Sequence, residues 1–160
     1  MKVRYPNTIL IICILFLGCK NNDEEMSKRI VGKWNVERDV YAKGSVILNT
    51  DQTFKFYEVS HLSETYSTGN WKIKNDTLLL NSKMPTECLF INHFSPYCED
   101  KYIVIKPHIE TTIENCEPKN YGKFYTKFSN EKFVFKNDSL TYINENKNCA
   151  NQLFPYKIFK

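Results

Sequence analysis

Glycine and proline are scarce in this 160-residue sequence, at 5 and 6 residues, which excludes collagen-like and low-complexity architectures. The longest uninterrupted apolar run, Ile9 to Leu17, is too short for a permanent transmembrane helix, which needs about twenty residues. Charge of one sign is lacking as well. The 22 basic side chains stand against 18 acidic ones, interspersed as in Lys127, Glu131, Lys132 and Lys136, and no basic stripe suits nucleic acid. There is no Gly-x-Ser-x-Gly elbow, no His-Glu-x-x-His pair and no glycine-rich phosphate loop, so no motif argues for an enzyme. Ser60, His61, Ser63 and Glu64 have catalytic residue types. Adjacent strand residues point to opposite faces, however, and a connecting loop is expected there. No catalytic residue is assigned.

What is present is aromatic. The 11 Phe and 10 Tyr, within a 42% hydrophobic composition, describe a strand-leaning chain able to pack one core. Its amino terminus is organised differently. Lys2 and Arg4 precede the apolar run, Gly18 and Cys19 follow it, and Lys20, Asn21, Asn22 and Asp23 turn abruptly polar. This is the layout of a secretory signal peptide over residues 1–18. Leu15-Phe16-Leu17-Gly18-Cys19 resembles the bacterial lipobox, which implies lipidation of Cys19 and membrane attachment through two or three acyl chains. Residues 19–29 then form the lipidated tether and the start of a short helix. Asn22 and Glu25 suit a capping box, Met26 and Ile30 share one face, and Gly32 stops the helix. The expected location is the cell envelope, periplasmic or on the outer membrane.

Four further cysteines, Cys88, Cys98, Cys116 and Cys149, are the disulfide candidates of an exported domain. Three pairings are open, and sequence proximity favours Cys88–Cys98 with Cys116–Cys149. No two of these cysteines sit at zinc-ligand spacing, and His61, His93 and His108 are scattered, so neither a metal site nor a cofactor is expected.

From Lys33 onward the hydrophobic period is two. Trp34, Val36 and Val40 share a face, and Arg38 falls on that apolar side, either near a rim or charge-paired. Val46 and Leu48, Phe54 and Phe56, Trp71 and Ile73, and Leu78 and Leu80 continue the alternation across turns at Asp51-Gln52 and Asn75-Asp76. The unit Lys-Asn-Asp-(Thr/Ser)-Leu recurs at Asn137-Asp138 as a second hairpin. Lys101 to Lys106 is expected as a strand buried on both faces, and Tyr125 to Phe128 and Tyr156 to Phe159 as late strands. The whole reads as an all-β antiparallel meander barrel of eight to ten strands over residues 30–160, with a short N-terminal helix and a disulfide-pinned insert.

The segments Gly32-Lys33-Trp34, Asp51 to Phe56, and Gly69-Asn70-Trp71 followed by Asp76 to Leu80 resemble the lipocalin-like domain of small exported lipoproteins from Bacteroidetes. The resemblance spans about residues 30 to 81. It implies that Trp34 closes one barrel end and that Gly69 and Trp71 belong to the end of the first meander. Trp34, Phe54, Phe56, Trp71, Leu78 and Leu80 are core residues or the lining of a cavity for a small apolar ligand. Phe90, His93, Phe94 and Tyr97, within the crosslinked stretch, are candidates for contact with an envelope protein. A non-catalytic binding or structural role is the leading expectation, and an inhibitor or immunity-type module using the loops around residues 88–116 is the alternative.

Overall fold

The computed structural model describes residues 19–39, 42–95, 97–99, 102–103, 110–146, 149 and 156–160. The expected export signal lies outside these residues, as does most of the 101–106 segment.

A helix, α1 (Cys19–Ile30), is followed by β1 (Gly32–Asp39), β2 (Ala42–Leu48), β3 (Thr53–Val59), β4 (Glu64–Lys74) and β5 (Thr77–Ser82). An insert carries β6 (Phe90–His93), β7 (Cys98–Glu99), β8 (Tyr102–Ile103) and β9 (Lys123–Lys127). The chain ends with β10 (Ser129–Lys136), β11 (Ser139–Ile143) and β12 (Lys157–Phe159). Strands β1 to β5 and β10 to β12 each pair antiparallel with the next, and β12 pairs back onto β1. The result is a closed eight-stranded, lipocalin-like barrel. Closure leaves none of these strands as a free edge, which is its physical advantage over an open sheet.

The turns explain the order. Asn75 and Asp76 have φ of 51° and 57°, and Asn137 and Asp138 have 51° and 53°. Two-residue hairpins need positive φ at both positions, and Asn and Asp tolerate it best among residues with a β-carbon. At the third turn Gln52 has φ 64°, while the Asp51 carboxylate accepts from the Thr53 amide at 3.0 Å and the Thr53 hydroxyl at 2.6 Å. Gly69 answers a different demand. A β-carbon there would lie 2.0 Å from the Asn81 carbonyl oxygen and 2.7 Å from the Phe54 ring, so only glycine admits this approach.

Met26 and Ile30 are buried on one face of α1, as expected, and they join the barrel core. The helix begins at Cys19, earlier than the capping box at Asn22 suggests. Trp34 is fully buried where the helix meets the barrel, and its Nε1 donates to the Ile30 carbonyl at 2.7 Å.

Three details go beyond these expectations. The polar stretch before Gly69 is not all loop: β4 starts at Glu64, because Thr65 and Ser67 continue its inward face with small hydroxyl side chains. The insert is not antiparallel throughout, since β9 runs parallel to the first half of β4 and β6 runs parallel to β9. Of the 101–106 strand, the described part is two residues, Tyr102–Ile103, paired with β7 in a separate small sheet.

The disulfides are Cys88–Cys116 and Cys98–Cys149, not the sequence-local pairs. The cause is β6. It extends the chain between Cys88 and Cys98 and carries the two apart. Meanwhile residues 110–112 return beside Leu89, Phe90 and Ile91, through Ile91 N to Glu110 O at 2.8 Å and Thr112 N to Leu89 O at 2.9 Å. That return brings Cys116 next to Cys88.

Candidate functional site

The barrel interior is graded along its axis. Near α1 it is apolar, with Trp34, Leu48, Trp71, Leu78 and Leu140 buried; Phe54, Phe56, Phe133 and Ile158 follow in the middle. All six expected core residues, Trp34, Phe54, Phe56, Trp71, Leu78 and Leu80, lie in this buried cluster. At the far mouth the inward positions become polar: Arg38, Glu58, Thr65, Ser67, Glu131 and Tyr142. Strand phase produces this. Glu58 follows Phe54 and Phe56 at period two, and Glu131 precedes Phe133 and Phe135 in the same way.

Phe94, just after β6, enters this mouth and is 1% exposed. Its ring stacks on Phe128 at 4.6 Å between centroids and meets Phe56, Phe133, Tyr142 and Tyr156 edge-on at 5.3 to 6.2 Å. The Arg38 guanidinium lies over the same ring at 5.0 Å. The insert therefore plugs the barrel with its own aromatic side chain. As a contact residue on the outer surface Phe94 is corrected: its side chain faces inward, because its amide is bonded to the Lys127 carbonyl at 3.0 Å and the chain turns over the rim there.

Two polar groups surround the plug. Arg38 and Glu58 form a bidentate ion pair, with Nε to Oε2 at 2.8 Å and Nη2 to Oε1 at 2.5 Å, both side chains almost buried. Burial works to lower the Arg38 guanidinium, but the hydrogen bonds and charge of Glu58 outweigh it and hold the pKa above its ordinary value. The second group is Glu131, whose carboxylate oxygens both lie 2.7 Å from Ser95 Oγ, with Tyr142 donating to one of them at 2.8 Å. Burial pushes the Tyr142 phenol up, and the Glu131 charge adds to that although the Ser95 bond opposes it. Burial also raises Tyr156, against the pull of the Arg38 charge.

A cleft of ≈ 150 Å³ opens beside this second group, with Glu131, Tyr142 and Ser95 in its wall and Lys132, Glu145 and Asn130 among its rim residues. A second cleft of ≈ 240 Å³ lies against Gln52, Asn70, Trp71 and Lys72. Neither is lined by the residues of the barrel middle.

The remaining expected contact residues sit on the insert. Phe90 is half-buried and its ring meets Tyr121 at 5.7 Å and Phe124 at 5.9 Å. His93 Nε2 is 3.2 Å from Glu110 Oε2, and Tyr97 is exposed. Ser60 to Ser63 form the β3–β4 loop, with the two serine hydroxyls bonded to each other at 2.9 Å and Leu62 at its tip 90% exposed. Among the described residues no group of His, Cys, Asp or Glu is placed to hold a metal ion, and no helix is long and apolar enough to cross a membrane. Cys19 opens α1.

Sequence reasoning missed Glu58 and Glu131. The signal was available: each is in phase with buried phenylalanines on its own strand. No family model matches the chain, and no curated protein or solved structure compared with it is similar.

Proposed function

We propose that this protein is a non-catalytic, lipid-anchored module of the bacterial cell envelope, akin to the small lipocalin-like lipoproteins of Bacteroidetes, and that it acts by recognition at the barrel mouth. The observation that carries this reading is Phe94. A barrel whose mouth is filled by its own insert presents the outside of that plug, not an open calyx. Both disulfides hold the insert, so its ordering cost is met before any partner arrives. Tyr97, Ile113 and Tyr121 give the insert exposed apolar surface of the kind found at the centre of interfaces. The geometry of α1 agrees with an anchor at Cys19. The helix covers the end opposite the mouth, so a tether there leaves the mouth directed away from the membrane.

A carrier of a small apolar molecule is the second reading, and barrel closure favours it. It requires Phe94 to yield its place.

Photo-crosslinking groups at Tyr97 and Ile113 on the insert, and at Lys55 on the barrel wall, separate the readings. Adducts with one envelope protein from the insert positions alone are expected, and adducts from Lys55 alone reject recognition by the insert. Metabolic labelling with a palmitate analogue tests the anchor: the label is expected on the protein and absent from Cys19→Ala, and a label that survives this change rejects it.

A further inference from the structure

Glu131 is 7% exposed and belongs to a mouth where, among the described residues, the buried cation is Arg38, which Glu58 already engages with two hydrogen bonds. The hydrogen-bond partners of Glu131 are two hydroxyls, Ser95 Oγ at 2.7 Å and Tyr142 Oη at 2.8 Å, and the Ser129 amide at 3.4 Å. These satisfy lone pairs and bring no positive charge. Among the described residues Glu131 has no ion-pair partner, although a buried carboxylate is ordinarily paired with a cation.

The adjoining cleft supplies the space for one. Its volume of ≈ 150 Å³ is of the size that accommodates a benzene-sized molecule. Of the charged groups lining it, Lys132 and Glu145 form an ion pair at 2.5 Å on the rim, so among the described residues Glu131 is left as the charge without an opposite partner. Tyr142, whose hydroxyl holds Glu131, also stands in the wall. We propose that this cleft is a binding site for a small organic cation, a primary ammonium, with Glu131 as its counter-ion and Tyr142 beside it. An anionic ligand would meet the Glu131 carboxylate and be repelled; a neutral isostere would lack the charge that the site is missing. The proposal goes beyond the recognition reading and does not depend on it, because binding by the purified domain needs neither lipid nor partner.

The test is a titration of the oxidised protein followed by amide chemical shifts at Ser95 and Ser129, with butylammonium, 1-butanol and butyrate as probes. Butylammonium is expected to saturate at a dissociation constant on the order of 1 mM, with the other two at least about tenfold weaker. Glu131→Gln is expected to lose at least about tenfold in affinity while the rest of the spectrum is unchanged. Two rim variants keep the test open should that substitution unfold the domain. Glu145→Gln, at an exposed position, should weaken butylammonium about twofold to threefold, and Lys132→Gln should tighten it by a similar factor. Equal binding of butanol, no saturable shift with butylammonium, or rim variants that leave its affinity unmoved would each overturn the site.

Discussion

Trp34 on the first barrel strand donates its indole hydrogen to the carbonyl of Ile30, at 2.7 Å, in the last turn of the covering helix. Helix carbonyls at a C-terminus lack intrahelical partners, so this bond both satisfies α1 and fixes it to β1. Lys160 reinforces the joint from the other end of the chain, with Nζ 2.6 Å from the Arg29 carbonyl and 4.9 Å from the Trp34 ring. Trp34→Phe removes the donor and keeps an aromatic ring. It is expected to cost about 1–3 kcal/mol, against about 3–5 kcal/mol for Trp34→Ala, in urea unfolding. Equal stability of Trp34→Phe and the native protein would show that the bond contributes nothing.

The plug gives a second expectation. Phe94→Ala vacates a site walled by Phe56, Phe128 and Phe133 and should destabilise the domain by about 3–5 kcal/mol. Leu62→Ala, at the exposed loop tip, should stay within about 0.5 kcal/mol of the native value. Denaturant midpoints of the two variants decide the matter, and similar values would mean that Phe94 does not pack as described.

Breaking the Arg38–Glu58 pair should be more damaging than replacing it. Glu58→Gln leaves a buried guanidinium without its counter-ion and is expected to cost about 3–5 kcal/mol. The double change Arg38→Met with Glu58→Leu should recover much of that loss. Calorimetric melting of the three proteins provides the comparison, and a double variant no better than the single one would count against this account.

Alkaline pH should weaken the fold through its tyrosines. Tyr66 is pushed up to about 12 from 10.0, by burial first and then by its bond to Glu87 and that carboxylate's charge. Tyr142 and Tyr156 are also raised, chiefly by burial. A phenol with a higher pKa folded than unfolded keeps its proton longer in the native state. Its contribution is therefore complete below the unfolded value and is lost as pH rises from 10.0 towards 12. Stability measured by denaturant from pH 8 upward should fall above about 10, and Tyr66→Phe should reduce the slope. A slope unchanged in that variant would assign the effect to other groups.

The first meander could be read from residue pattern because its determinants are local. The turns at Asp51-Gln52 and Asn75-Asp76 fix hairpins, and the alternation from Trp34 to Leu80 assigns faces without reference to the rest of the chain. The α1 face carrying Met26 and Ile30 follows from helical spacing for the same reason. The mouth depends on contacts between residues far apart. Arg38 was anomalous on its apolar face, and its partner Glu58 lies twenty residues on and across the barrel rim. Phe94 reads as a loop aromatic, and only the path of β6 beside β9 turns it inward. The Lys127-to-Lys136 stretch looks like solvated surface because its charges alternate, yet β10 begins within it and places Glu131 in phase with Phe133.

The crossed order of the two sulfur bridges has a consequence for how the chain matures. Synthesis proceeds from the amino terminus, so the thiol at Cys98 becomes available to Cys88 before Cys116 does, and Cys149 comes last. The first pair able to oxidise is not a native one. Were that early pair to form, reaching the native linkage from it would take thiol exchange and not oxidation alone.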